Sequence, residues 1–410
     1  MTTEAVARYP GEEFSVRRRI AHILVLGGLV AFGPFTIDLY LPAFPAVAAD
    51  LATSEAAIQF TLTATTVGFG LGQLVVGPLS DAVGRRRPLL VATTVHVVAS
   101  LGIMLAPTVG WVMVGRVAQG VGAAGSAVVA MAVVRDLFGG QPLVRMLARM
   151  ALVTGLAPIL APVIGSQLLL VVDWRGIFAV LAGYGLLMML VSAGLLGETL
   201  PPANRHGSGR RAIGERYRAL ARDRVFVGSA LVGAMGFGSM FAYLASSSFL
   251  YQEDFGLSAQ QYGALFATNA VGIVISAQVA GRLMRRYPPT WVMAGSLTII
   301  LVSSAGLLVA GWLDSPPAVA MVLIFVTIAA LGGVNPSVQV TALSRHGARA
   351  GTAASLLGAF NFVLAGLISP VVGALGVSVT SMASVMVAVL VLAHLCLWLV
   401  VRPWTVAVVA

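Results

Sequence analysis

Two charged residues stand where charge is costly, and their chemistry sets the first question. Asp38 lies in FTIDLYLPAFP, toward the end of an apolar run that begins near Ile20. Arg116 lies in GRVAQG, a few residues after Trp111 in another apolar run. A charged side chain at bilayer depth costs roughly 2.5–3.5 kcal/mol on insertion scales, and such residues mark ion and substrate pathways. An acid that gains and loses a proton there can exchange it for a substrate that competes for the same place. Burial disfavours the charge and a nearby guanidinium favours it, so opening or closing a cavity changes how tightly the carboxylate holds its proton. Arginine does not lose its proton, so it needs a partner or a polar cavity and sets the local field. Blander roles compete: Asp38 pairs with Arg116 or caps a helix break near Pro42 and Pro45, and Arg116 snorkels to an interface.

The elements holding these residues are apolar helices. The 410-residue chain is 58% hydrophobic and 10% charged, with a mean hydropathy of +0.94. A soluble fold of this length cannot hide that much apolar surface, so the chain reads as an all-α integral membrane protein. Its 46 glycines suit close helix packing in lipid. Twelve runs are long enough to cross a bilayer: 20–47, 58–78, 88–107, 111–134, 147–170, 175–197, 225–250, 260–283, 290–312, 317–342, 351–375 and 378–401. Alternating strand patterns are absent, and helices satisfy their own backbone in hydrocarbon. Residues 1–19 form a polar tail, and the run that follows is too long for a signal-peptide core, so it is expected to be a retained first span. The linker 198–224, with Pro201-Pro202, a Gly-Ser-Gly stretch and several arginines, divides six spans (20–197) from six (225–401), leaving a short tail at 402–410.

All 25 basic residues are arginine, and all but Arg116 and Arg175 fall on one side of the predicted spans. The opposite loops carry Asp50, Glu55, Asp173, Glu253, Asp254 and Asp314. The positive-inside rule then places both termini and the linker in the cytoplasm. The net charge of +10 reflects these loops rather than nucleic-acid binding. A lone cysteine, Cys396, excludes an intrachain disulfide, and no cysteine/histidine cluster offers a metal site. There is no Walker loop, so no ATP-driven or enzymatic activity is expected and no cofactor is called for. GPLSDAVGRRRP and GRLMRRYPP occupy the same slot in the two halves, as expected of parallel six-span repeats with a site at their interface.

Three motifs carry a family resemblance. Gly77-Pro-Leu-Ser-Asp81-Ala82-Val-Gly84-Arg85-Arg86-Arg87 resembles the signature loop G-x-L-x-D-R-x-G-R-R of the major facilitator superfamily, with Ala82 where a basic residue is usual. Its glycines allow a tight turn, its arginines face anionic headgroups, and Asp81 is placed to accept from free amides near Gly351-Thr352-Ala353. Arg116-x-x-Gln119-Gly120 matches the arginine motif of the family's fourth helix. Gly155-Leu-Ala-Pro158-Ile-Leu-Ala161-Pro162-Val-Ile-Gly165-Ser166 is similar to the antiporter motif G-x-x-x-G-P-x-x-G-G, with Ala161 and Ser166 departing from it. Its prolines remove helix hydrogen bonds and its glycines thin the helix, so it can seal one face against ion leak. The string T-x-D-x-Y-L-P-A around Asp38 narrows the resemblance, together with Val134-Arg135-Asp136, Trp174-Arg175-x-Ile177-Phe178, Glu198-Thr199-Leu200-Pro201 and Gly351–Leu356. These strings are similar to the bicyclomycin/chloramphenicol resistance branch of drug:proton antiporters.

That resemblance implies a major facilitator fold of two six-helix bundles in the bacterial inner membrane, working by alternating access. It implies proton-coupled efflux of small amphipathic antimicrobials such as phenicols or bicyclomycin-like compounds. Asp38 and Arg116 would then couple proton to drug. Some relatives carry a second acid two turns earlier, where this chain has Leu29, Val30 and Ala31, so a fixed low stoichiometry and a preference for neutral substrates over dications follow. Met150 and Thr154 fall where relatives contact drug. Tyr40, Phe237, Phe241, Asn269, Asn335, Gln339 and Asn361 are further cavity candidates, since such sites are mostly apolar with a few orienting polar groups. His96 and His394 are expected in packing or at an interface. The partners are drug, protons and membrane lipids, and a monomer is the default. Export of an endogenous metabolite or sugar, uptake, or a non-transporting sensor on the same scaffold are the alternatives. A sensor has no need of a titratable cavity.

Overall fold

In the computed structural model, residues 9–205, 218–344 and 350–406 are described, and all their regular structure is helical. Among the described residues, twelve helices or helix pairs are long and apolar enough to cross a membrane. The first crossing is broken: α1 (Val16–Asp38) stops, a 3-10 turn covers Leu41–Ala43, and α2 (Phe44–Asp50) completes it. The first bundle continues with α3 (Glu55–Val83), α4 (Arg86–Met104), α5 (Val109–Leu137), α6 (Gly140–Leu168) and α7 (Trp174–Leu195). The second comprises α8 (Arg224–Phe249, extended by a π turn to Asp254), α9 (Ala259–Leu283), α10 (Pro289–Trp312), α11 (Pro317–Leu343), α12 (Ala350–Ala374) and α13 (Val379–Cys396, extended by a π turn to Val401).

Helix starts follow local chemistry. On the arginine-poor face, Ser54, Thr108, Asp173, Ser258 and Ser378 each accept a hydrogen bond from an amide in the first turn of α3, α5, α7, α9 and α13. Ser258 and Gln261 complete a reciprocal capping box. The helix α6 begins at Gly140, so Arg145 lies within it rather than in the loop expected before residue 147.

Small residues set the closest approaches. A β-carbon on Gly68 would overlap the Val117 carbonyl oxygen, and one on Gly120 would overlap that of Thr65, so α3 and α5 touch through backbone. The bundles meet along α3 against α12 and α6 against α9. Ser369 donates to the Gln59 carbonyl at 3.1 Å, and Phe69 stacks on Phe362 at 5.3 Å. Gln260 donates to the Ser166 carbonyl at 2.8 Å. Overpacking a backbone contact such as that of α3 on α5 costs roughly 1–3 kcal/mol. Gly68→Val is therefore expected to lower the unfolding temperature in detergent, while Gly70→Val, with nothing within 4 Å of the new β-carbon, leaves it near wild type.

Candidate functional site

The end of α1 presents a physical problem. A helix that stops inside the membrane leaves carbonyls without intrahelical partners, and lipid offers no donors. The Phe35 carbonyl is taken by the Leu39 amide at 3.3 Å. The Thr36 carbonyl is taken by Arg116, whose Nη1 donates to it at 2.6 Å. A cation at a helix C-terminus also complements the helix dipole. The same nitrogen donates to Gln119 Oε1 at 2.8 Å, and Gln119 donates to Ser100 Oγ at 2.8 Å. The Thr36 hydroxyl lies 3.0 Å from His96 Nε2, and the His96 ring packs on Phe32. Arg116 is fully buried, with its guanidinium 5.0 Å from the Tyr40 ring centre and 5.9 Å from that of Phe178. Among the described residues, Nε and Nη2 of Arg116 have no hydrogen-bond partner. The arginine snorkels to no interface.

Asp38, the last residue of α1, is 6% exposed. It lies within electrostatic reach of Arg116 and of Tyr262 on α9. Among the described residues its carboxylate forms neither an ion pair within 4 Å nor a hydrogen bond, so the direct Asp38–Arg116 pair is not present. The break beside it is clamped from both bundles. A β-carbon on Gly165 of α6 would overlap the Leu39 carbonyl oxygen. Gln252, at the end of α8, donates to the Pro42 carbonyl at 3.0 Å and to Ser248 Oγ at 2.8 Å. Phe44 and Phe249 face each other at 5.9 Å. The arginine-poor face is thereby shut around Asp38.

The other predicted residues divide. Tyr40 joins Asp38 and Arg116. Phe237 and Phe241 pack at 5.0 Å, and Phe237 meets Phe362 at 5.7 Å, so an aromatic row runs from α8 across α12 to Phe69 of α3. Asn335 lines a small pocket with Phe237, Met240 and Val334, and Gln339, one turn on, is exposed. Asn361 is half-buried beside Phe362. Asn269 is buried and donates to the Tyr243 hydroxyl at 2.9 Å. Met150 is buried where α6 packs on Gly27, and Thr154 is exposed with its hydroxyl turned back to the Met150 carbonyl. In the α6 motif Gly165 makes a close approach and the Pro162 carbonyl lies against Gly263, whereas Gly155 is exposed with nothing near it and Pro158 is half-buried.

At the arginine-rich face, Gly84 adopts φ +101°, a conformation that favours glycine, with Glu198 filling the space a side chain would need. Gly77 packs on Val128. Arg85 pairs with Asp81 and with Asp136, the latter at 2.9 Å, and also donates to Ser80. Glu198 accepts from the Arg85 amide at 2.8 Å and the Arg86 amide at 3.3 Å, taking the place of an N-cap for α4, while Arg86 donates to the Ala193 carbonyl. Asp81 is half exposed; its expected contact with Gly351-Thr352-Ala353 falls at a helix start that lies outside the described residues or is described only in part. Sequence reasoning assigned no role to Thr36, Phe178 or Gln252, nor to Asp136 and Glu198.

Burial works to raise the Glu198 carboxyl, but the amides of Arg85, Leu200 and Arg86 and the charge of Arg205 outweigh it and hold the group below the usual glutamate range. A group held lower in the folded chain contributes stability above its unfolded value of about 4.3, and that stability is lost as pH falls through the folded value. The unfolding temperature is expected to fall more steeply on acidification below about pH 5 in wild type than in Glu198→Gln.

The family profile described as Major Facilitator Superfamily matches residues 24–370. The MFS-type transporter YdgK of Bacillus subtilis strain 168, itself described as uncharacterized, is 35% identical over 359 residues, covering 87% of this chain and 89% of its own. A bicyclomycin resistance protein homolog of Haemophilus influenzae is 30% identical over 86% of this chain and 89% of its own. The multidrug resistance protein MdtL of Klebsiella pneumoniae is 28% identical over 68% and 70%. Among solved structures, a D-xylose-proton symporter superposes with a TM-score of 0.75 at 17% identity, over 94% of this chain and 98% of its own. An inward-facing bacterial homolog of the human lysosomal transporter Spinster gives 0.77 at 16%, over 95% and 98%. At such identities the likeness is one of fold.

Proposed function

Because the chain belongs to the major facilitator superfamily and is a membrane transporter rather than an enzyme, we propose that it exports small amphipathic antimicrobials in exchange for protons, with Asp38 as the exchanging acid. The observation that carries this reading is a single carboxylate, nearly buried at a broken helix, without a hydrogen bond or ion pair, at the seam where the two bundles close. The relatives named for bicyclomycin and multidrug resistance support the substrate class.

On the closed arginine-poor face Tyr40, Phe44, Phe178 and Phe249 pack together at the break that follows Asp38, which is itself nearly buried. A bare carboxylate there pays desolvation without a direct partner. Closure is therefore favourable when the acid holds a proton, and unfavourable when it is ionised and empty. Taking the arginine-rich face as cytoplasmic, a proton enters from the opposite side while that face is open and neutralises Asp38. The face closes, and the cavity opens to the cytoplasm. Drug binding then displaces the proton from Asp38 to the cytoplasm, and the drug shields the carboxylate for the return. Arg116 stays charged throughout, fixes the end of α1 through Thr36, and supplies the field that lets Asp38 release its proton. Phe237, Phe241, Asn335 and Asn361 provide the apolar wall and orienting amides for the drug. With one exchanging acid, neutral compounds such as phenicols or bicyclomycin-like molecules are preferred over dications.

The test is expression in an efflux-deficient host with a drug panel, together with uptake into inverted vesicles energised by a proton gradient. Wild type is expected to raise resistance to at least one neutral compound and to take it up. Asp38→Asn should reduce both to the level of the empty vector. Full activity in Asp38→Asn removes the acid from coupling. Proton-dependent uptake of a sugar or metabolite, with no drug moved, assigns the site to another substrate class.

A further inference from the structure

The chain has six tryptophans, and three of them meet at one place on the arginine-rich face. Trp398 stacks on Trp404 with ring centres 5.9 Å apart and planes 17° apart, and Trp291 meets Trp398 edge-on at 5.8 Å. They come from the start of α10 and from the end of the last crossing, so their rings lie where the spans end. Trp291 and Trp404 are exposed, at 46% and 61%.

The chain departs from regular structure to build this shelf. Beyond α13 the helix widens into the π turn Leu397–Val401, then Arg402 takes a left-handed conformation, with φ +56° and ψ 77°. That conformation is uncommon for a residue other than glycine or asparagine. The 3-10 turn Pro403–Thr405 then folds Trp404 back onto Trp398. Arg224, at the start of α8, pins the turn by donating to the Val400 carbonyl at 3.3 Å and to Thr405 Oγ1 at 2.9 Å. Gly228 lets α8 approach Val400 and Val401. Arg402 uses Nε on the Leu399 carbonyl at 3.0 Å, and its two terminal nitrogens make no bond within the described protein. Arg285 and Arg286, in the turn that leads directly into α10, and Arg282, in the last turn of α9, are all exposed. Asp223, next to Arg224, caps α8.

We infer that Trp291, Trp398 and Trp404, with Arg402, Arg285 and Arg286, form a binding site for the headgroup of an anionic phospholipid of the surrounding leaflet. Indole rings favour the headgroup level, where one side is apolar and the other wet. A guanidinium can bind a phosphate through two parallel hydrogen bonds, and juxtamembrane arginines attract anionic lipid. The stacked rings give the glycerol and upper acyl carbons a rigid surface, which a free phosphate ion has no use for. The charge of the face fits a lipid anion and opposes a basic partner.

The full chain in nanodiscs of phosphatidylcholine, doped with brominated phosphatidylglycerol or brominated phosphatidylcholine, tests this by tryptophan quenching. The cluster's share is read by difference from W291F/W398F/W404F. The expected result is that brominated phosphatidylglycerol quenches the cluster about fivefold more effectively, the preference one arginine near the surface supplies. Arg402→Asn, which tolerates the left-handed turn, combined with Arg285→Gln and Arg286→Gln, should remove that preference. Quenching of Trp111, Trp174 and Trp312 should stay unchanged and serve as the folding reference. Equal quenching by the two lipids, or a preference that survives the triple variant, overturns the site. Loss of the preference with excess inorganic phosphate also overturns it, by assigning the pocket to a soluble anion.

Discussion

A helix that ends inside a membrane must find donors for its last carbonyls, and much of the first bundle follows from how α1 solves this. Hydrocarbon offers none, so the donor must come from protein. Arg116 supplies it, reaching from α5 to the Thr36 carbonyl while stacking on Tyr40 and Phe178. A guanidinium suits the place because it keeps its proton, spreads its charge over a plane and offers several donors in fixed directions. The Gln119–Ser100 chain and the Thr36–His96 contact then fix α4 and α5 around it. Asp38 stands at the end of the helix so held, close enough to feel the cation and too far to pair with it.

The two faces are built on different chemistry. Around Asp38 the bundles meet through aromatic rings and amide-to-carbonyl bonds, Phe44 on Phe249, Gln252 on Pro42 and Gln260 on Ser166, while within the first bundle Gly165 lies under Leu39. Such a seam loses little on opening and pays heavily for a bare charge inside it. On the arginine-rich face the described ion pairs stay within the first bundle and its linker, where Arg85, Asp81 and Asp136 form one group and Glu198 holds the start of α4. That network stiffens the loop between α3 and α4.

Much of this was legible in the residues. Twelve apolar runs gave twelve crossings, because twenty apolar residues in lipid have few other options. The prolines after Asp38 pointed to a break, and the helix does stop at Asp38. Other features were hidden because they depend on distance rather than spacing. An acid and an arginine at similar depth invite the idea of a pair, yet the arginine is occupied by a carbonyl, and backbone acceptors leave no trace in composition. Thr154 matched a drug-contacting position, but its hydroxyl turns back on its own helix, as threonine commonly does. Gly155 and Gly165 look alike in the motif, and only the second meets a neighbouring backbone. Asp136 and Glu198 were visible as letters, but their partners lie 51 and 113 residues away in sequence.

Proton release on binding puts the central claim to the most direct test. Purified protein in weakly buffered detergent near neutral pH, titrated with a drug to which it confers resistance, is expected to release up to one proton for each drug bound. Asp38→Asn should bind without any release. Binding that releases no proton from wild type, or the same release from Asp38→Asn, contradicts the account.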